Sequence, residues 1–163
     1  MKKIQHLTSI RVFLASLVIW SHSYPLTGNP EALASLIGET GGTIAVVGFF
    51  FISGYLVTQS YVRRDSAIIF FMHRVLRIWP ALVIALVFSA LVGYLASSAD
   101  QSTALTSAKH FFWHNLPLIN GIQFQITGAF STHPNTSING SLWTLPLEVK
   151  CYLVVMALGF FKY

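Results

Sequence analysis

Arg11 and His22 stand in one long apolar run and Glu148 in another. An ionisable side chain in such a place is costly enough to suggest a task. Eleven residues separate Arg11 from His22. On a helix that is three turns plus about 20°, so the two share a face, roughly 16 Å apart along the axis. The pair reads either as a snorkelling arginine with a histidine hydrogen-bonded inside a bundle, or as part of a site. Arg74 and Arg77 form an R-x-x-R pair. Guanidinium groups at i and i+3 can grip a phosphate or pyrophosphate with forked hydrogen bonds, while basic residues on a surface helix also meet anionic lipid headgroups. Glu148 lies seven residues into its run and His22 about four from the end of its own, which puts both within about 10 Å of one boundary. Lys150, at i+2, points to another face, so His22 is the natural partner for Glu148. By themselves Arg11, His22 and Glu148 would also suit the proton or ion relay of a transporter. The R-x-x-R pair separates the two, because a relay has no need of a phosphate clamp.

The elements that carry these residues belong in lipid. The chain is 54% hydrophobic and only 9% charged, against roughly a quarter charged for a soluble domain, so it could not cover its own surface in water. Four stretches approach the roughly 20 apolar residues needed to cross a bilayer: Thr8 to Leu26, Thr43 to Val62, Ile78 to Ala96 and Ser141 to Phe161. Ile68, Ile69, Met72, Val75, Leu76 and Trp79 mark one face of a helix, with His73, Arg74 and Arg77 opposite. This predicts an interfacial amphipathic helix on the cytoplasmic surface that feeds into the third span at Pro80. The expected fold is an all-α, multi-pass transmembrane helical bundle of about four spans plus that helix. Ser53 and Gly54, small residues in a bulky run, read as close helix packing.

Basic residues at Lys2, Lys3 and Arg11, and again at Arg63, Arg64, Arg74 and Arg77, alternate with Glu31 and Glu39. That is the positive-inside pattern. It predicts a cytoplasmic N-terminus, an outside loop around Glu31 and Glu39, and a last span running inward to Lys162. It also accounts for the net charge of +5 without a nucleic-acid partner. Residues 97–140 fall outside, with Phe111 to Ile126 as a candidate re-entrant or interfacial segment. Arg11 and His22 fit a cleaved signal peptide poorly. The lone Cys151 allows no intramolecular disulfide and no thiolate metal cluster, and in its apolar run it acts as a small hydrophobe.

In order, these landmarks resemble the acyltransferase 3 family of integral-membrane acyltransferases. Arg11 and His22 meet its R-x10-H spacing, and Gly48-Phe49-Phe50-Phe51-Ile52-Ser53-Gly54-Tyr55-Leu56 resembles its second helix. Arg74 and Arg77 meet its R-x-x-R, and Asn139-Gly140-Ser141-Leu142-Trp143-Thr144-Leu145 with Glu148 resembles its N-G-S-L-W-T-L-x-x-E block. The resemblance implies transfer of an acyl group, often acetyl, from acyl-coenzyme A as donor substrate to a carbohydrate hydroxyl, with no permanently bound cofactor or metal. It implies a multi-pass protein of the bacterial inner membrane. Arg11, Arg74 and Arg77 would hold the donor, and His22 would act as general base or carry the acyl group itself. Glu148 would orient and stabilise its imidazolium, as the carboxylate does in a serine-hydrolase triad. Family members usually run beyond 300 residues with about ten spans. Residues 1–163 are therefore expected to be the N-terminal part of such a domain, from a fragment or a disrupted gene, and inactive alone.

Overall fold

The computed structural model describes residues 2–62 and 66–160, without the side chains of residues 2–6, 159 and 160. Arg63, Arg64 and Lys162, used above to orient the chain, lie outside the described residues, as do the side chains of Lys2 and Lys3. Among the described residues there are six α-helices: α1 (Lys2–Thr27), α2 (Ala32–Ile37), α3 (Gly41–Val62), α4 (Ala67–Leu95), α5 (Gln101–Asn115) and α6 (Thr144–Phe160). A 3-10 turn, Gly140–Trp143, leads into α6. Among the described residues there is no strand, only an isolated bridge between Ser97 and Ala129. The expected all-α class holds. Three segments among the described residues, Gly41–Val62, Ala67–Leu95 and Gly140–Leu158, are long and apolar enough to cross a membrane. The first expected span, α1, has the length at 26 residues, but its Ser, Thr, Arg and His content leaves it less apolar than the other three.

The chain divides into two compact units, one through Gln59 and one from Ser60. In the first, Leu14 of α1 packs with Ala45 and Ile52 of α3, joined by Leu7, Leu17, Val18 and Phe49. Glycine permits the close approach. A Cβ on Gly48 would meet Leu14 at 3.0 Å, and one on Gly42 would meet the Ser21 hydroxyl at 2.8 Å. At Gly54, expected as a packing position, a Cβ meets nothing within 4 Å among the described residues.

In the second unit α4 is the spine. The expected surface helix and third span are one continuous helix of 29 residues with Pro80 inside it. Ser66 caps its start by accepting from the Ile69 N–H. At 1.5 Å per residue α4 is about 43 Å long, more than the roughly 30 Å hydrocarbon layer requires. Four of the six positions of the expected apolar face, Ile68, Ile69, Met72 and Leu76, are exposed, as an apolar face turned to lipid would be. Ile68 and Leu76 are 75% and 64% exposed, whereas Phe70, Ile78, Leu82, Leu86, Ser89 and Gly93 are buried. The buried stripe is mainly apolar, with the small Ser89 and Gly93 toward its C-terminal end, while His73 and Arg77 are exposed; Arg74 stands one turn from both Phe70 and Ile78 along it. That places Arg74 on the packed face of α4.

Residues 97–139 form an ordered cap on α4. Asp100 caps α5 by accepting from the Thr103 N–H at 2.9 Å. The Ser102 hydroxyl at 2.5 Å and that N–H hold its carboxyl down at about 2. Helix α5 packs along the C-terminal half of α4, burying Ala104, Ala108 and Phe111. The irregular backbone that follows is tied down by side chains. Asn115, fully buried, gives its amide hydrogen to the Gln123 carbonyl and accepts from the Gln123 N–H, both at 2.9 Å. Ile126 fits against Gly93, where a Cβ would come within 2.4 Å of its Cδ1.

Candidate active site

In α1 the helix runs unbroken through Arg11 and His22, so their shared face holds. Leu14 and Ser21 are buried on the α3 side, and Arg11 and His22 stand about 60–100° round the helix from that stripe. Arg11 is half-buried and His22 exposed. The turn beside His22 is anchored by a group read from sequence only as a topology marker. Glu31 is buried, with one carboxylate oxygen accepting from the Ser21 hydroxyl at 2.6 Å and the other from the Gly41 N–H at 2.5 Å. Glu31 therefore ties the end of α1 to the first turn of α3, where the orphan N–H groups and the helix dipole favour a carboxylate.

In the second unit the arginines of R-x-x-R are not equivalent. Arg77 is exposed on α4. Arg74 is half-buried, donates from Nη2 to the Ser60 hydroxyl at 3.0 Å, and lies over two aromatic rings. Its guanidinium carbon is 5.3 Å from the centre of Phe70 and 5.6 Å from that of Tyr152. Its Nε–H is buried and finds no acceptor among the described residues. The rings support one another edge to face, Tyr61 on Phe70 at 5.1 Å and Phe70 on Tyr152 at 6.5 Å.

Tyr152 brings in the second motif. It sits one turn after Glu148 on α6, and its hydroxyl donates to Glu148 Oε1. Sequence reasoning left Glu148 without a partner in its own helix. The i, i+4 tyrosine supplies one, and that spacing alone could have pointed to it. The start of α6 is fixed by the motif's Asn139, which accepts from the Ser141 N–H and hydroxyl and donates to the buried Ser89 of α4 at 3.3 Å. Thus Asn139 lies beside Ser89 and Tyr152 beside Arg74, and α6 runs antiparallel to α4. Glu148 stands near the arginine end of α4. His22 and Arg11 belong to the first unit, Arg74, Arg77 and Glu148 to the second.

The chain matches the acyltransferase domain family over residues 4–162. It is 36% identical to an O-acetyl transferase of Shigella phage Sf6, over 88% of this chain and 42% of that protein. It is 30% identical to nodulation protein 10 of Rhizobium leguminosarum bv. viciae, over 90% of this chain and 41% of that protein. The chain therefore spans about two fifths of the length of these relatives. No solved structure matches it significantly. With helices fit to cross a membrane and a family match over nearly its whole length, this chain belongs to the acyltransferase 3 family of membrane acyltransferases.

Proposed function

We propose that the chain forms the donor-binding and base-carrying part of an enzyme that moves an acyl group, acetyl in the simplest case, from acyl-coenzyme A to a carbohydrate hydroxyl at the bacterial inner membrane. The N-terminus and the arginine end of α4 face the cytoplasm, where the donor is. Arg74 and Arg77, with Arg11, hold its phosphates by charge-assisted hydrogen bonds. His22 takes the proton of the sugar hydroxyl as that oxygen bonds to the thioester carbonyl carbon. The C–S bond then breaks, and the departing thiolate recovers the proton from the imidazolium. Histidine suits this task because it exchanges a proton near neutrality. Glu148 orients the ring and stabilises its charged form. The pairing of Glu148 with His22 rests on their sequence positions.

The observation that carries the reading is the meeting of two motifs 71 residues apart in the chain, counted from Arg77 to Glu148, around Tyr152. A lipid-headgroup arginine has no need of an aromatic seat on the packed side of its helix. In a full-length enzyme carrying this sequence, Arg74→Ala with Arg77→Ala should weaken coenzyme A binding and leave membrane insertion intact. His22→Ala should abolish turnover with donor affinity kept, since a lost base acts on kcat by roughly 10²- to 10⁴-fold. Glu148→Gln should cost less, and the double variant little more than His22→Ala alone. Undiminished turnover in His22→Ala would remove the base from this scheme.

A further inference from the structure

We infer that Tyr152 is a positioning residue of this site, whose hydroxyl sets the carboxylate of Glu148 while its ring seats the guanidinium of Arg74. The inference rests on the proposed roles of those two residues and adds a third that links them. Tyr152 is 2% exposed, yet it is not simply core. Its one hydroxyl hydrogen is committed to Glu148 Oε1, so the carboxylate is held in one orientation with Oε2 left to accept from another group. Its ring carries Arg74 at 5.6 Å while Phe70 bears on the guanidinium at 5.3 Å. Phe70, itself fully buried, braces the Tyr152 ring edge to face. The arginine is thereby fixed on the packed side of α4 by two rings and the Ser60 hydroxyl, and the carboxylate on α6 is fixed by the same tyrosine. One side chain sets the spacing between the group assigned to the donor and the group assigned to the base.

The two halves of the tyrosine can be separated. Tyr152→Phe keeps the ring and removes only the hydroxyl. Tyr152→Leu removes both. In a full-length enzyme carrying this sequence, reconstituted in lipid nanodiscs, coenzyme A affinity and turnover at saturating acetyl-coenzyme A are measured for each. Tyr152→Phe should bind coenzyme A like the parent and lose roughly tenfold or more in kcat, the scale of a hydrogen bond to a charged group. Tyr152→Leu should lose the same turnover and bind coenzyme A several-fold more weakly, on the order expected for loss of one cation–π face. The carboxyl carbon of Glu148, labelled and read by NMR, should shift equally in both variants. A packing role alone would leave Tyr152→Phe active, and that result overturns the inference. So does an equal loss of donor affinity in the two variants. Failure of the parent enzyme to bind coenzyme A would overturn the donor-site reading and this inference with it, whereas a parent that binds donor beside a fully active Tyr152→Phe would overturn the role of the tyrosine only.

Discussion

Gly93 offers the sharpest test of how the cap residues hold the entry to α6. A methyl group at this position would stand 2.4 Å from Ile126 Cδ1, 3.2 Å from Ile138 Cδ1 and 3.3 Å from Ile126 Cβ. Ordinary contact begins at 3.4 Å, so Cδ1 must retreat by about 1 Å, against the dense packing of an interior. Ile126 is 2% exposed and has little room to retreat. Overpacking of this kind costs about 1–3 kcal/mol, and the size of the displacement puts Gly93→Ala in the upper half of that range. For a chain of this size the midpoint of thermal unfolding should fall by about 5–10 °C. Ile126→Val removes the closest atom and costs about 0.5–1.5 kcal/mol by itself. The double variant should then be more stable than Gly93→Ala alone, a coupling that separates a steric clash from a general loss of stability. The consequence reaches the site, because Ile138 precedes Asn139, whose bond to Ser89 fixes the start of α6. Thermal unfolding in nanodiscs measures all three variants. An unchanged midpoint in Gly93→Ala, or no recovery in the double variant, would refute the packing argument.

Three further outcomes follow from other parts of the chain. Glu31→Ala should destabilise by about 1–3 kcal/mol, because it strands the buried Ser21 hydroxyl and the Gly41 N–H; an unfolding midpoint equal to that of the parent would show the tie between α1 and α3 to be idle. Asp100, with its carboxyl held near 2 instead of 3.8, supports the first turn of α5 fully above about pH 4, and that support fades as pH falls toward 2; amide exchange at Thr103 that is flat from pH 5 to pH 2, after correction for the intrinsic rate, would contradict this. With Cys151 replaced by Ser, a cysteine at the exposed Leu36 should be labelled from outside the cell and one at position 64 only from the cytoplasm; labelling of both from one side would end the proposed orientation.

Much of the helical layout was legible because lipid demands it. Long uncharged runs in a membrane protein have few alternatives to a helix, and α3 and α6 begin within a few residues of the places that hydropathy marks. What stayed hidden has physical causes. The pattern around Arg74 marks an apolar face that lipid can take, and Ile68 and Leu76 are exposed as it requires. It does not mark the second face, on which Phe70, Arg74 and Ile78 are packed. Glu31 is another case. Counting charges for orientation treats an acidic residue in a loop as solvated, while here a hydroxyl and a helix N-terminus were available to bury it. Neither partner is near in sequence, since Ser21 and Gly41 are each ten residues away. The ordered cap of 97–139 was opaque for a further reason. Its structure depends on single side chains bonding to the backbone of another segment, as Asn115 does to Gln123, and such bonds leave no periodic trace.

The candidate site was legible as a set of residue types but not as a geometry, and Glu148 shows why. Counting inward from the end of its run places it near the outer boundary, where His22 is the only ionisable neighbour that the count offers. Depth in a bundle is set by the neighbouring helix, not by the residue's own number. The contact of Tyr152 with Arg74 puts one turn of α6 beside the N-terminal third of α4, and Glu148 lies one turn, about 6 Å, from that level. The carboxylate is therefore closer to the arginines than the count implies. Its hydrogen-bond partner is the Tyr152 hydroxyl on its own helix. A carboxylate in this position can tune the arginines as well as a base. That is the physical reason the paired variants of His22 and Glu148 are informative: near-identical losses in the single and double variants tie the carboxylate to the imidazole, and multiplicative losses tie it to the donor end.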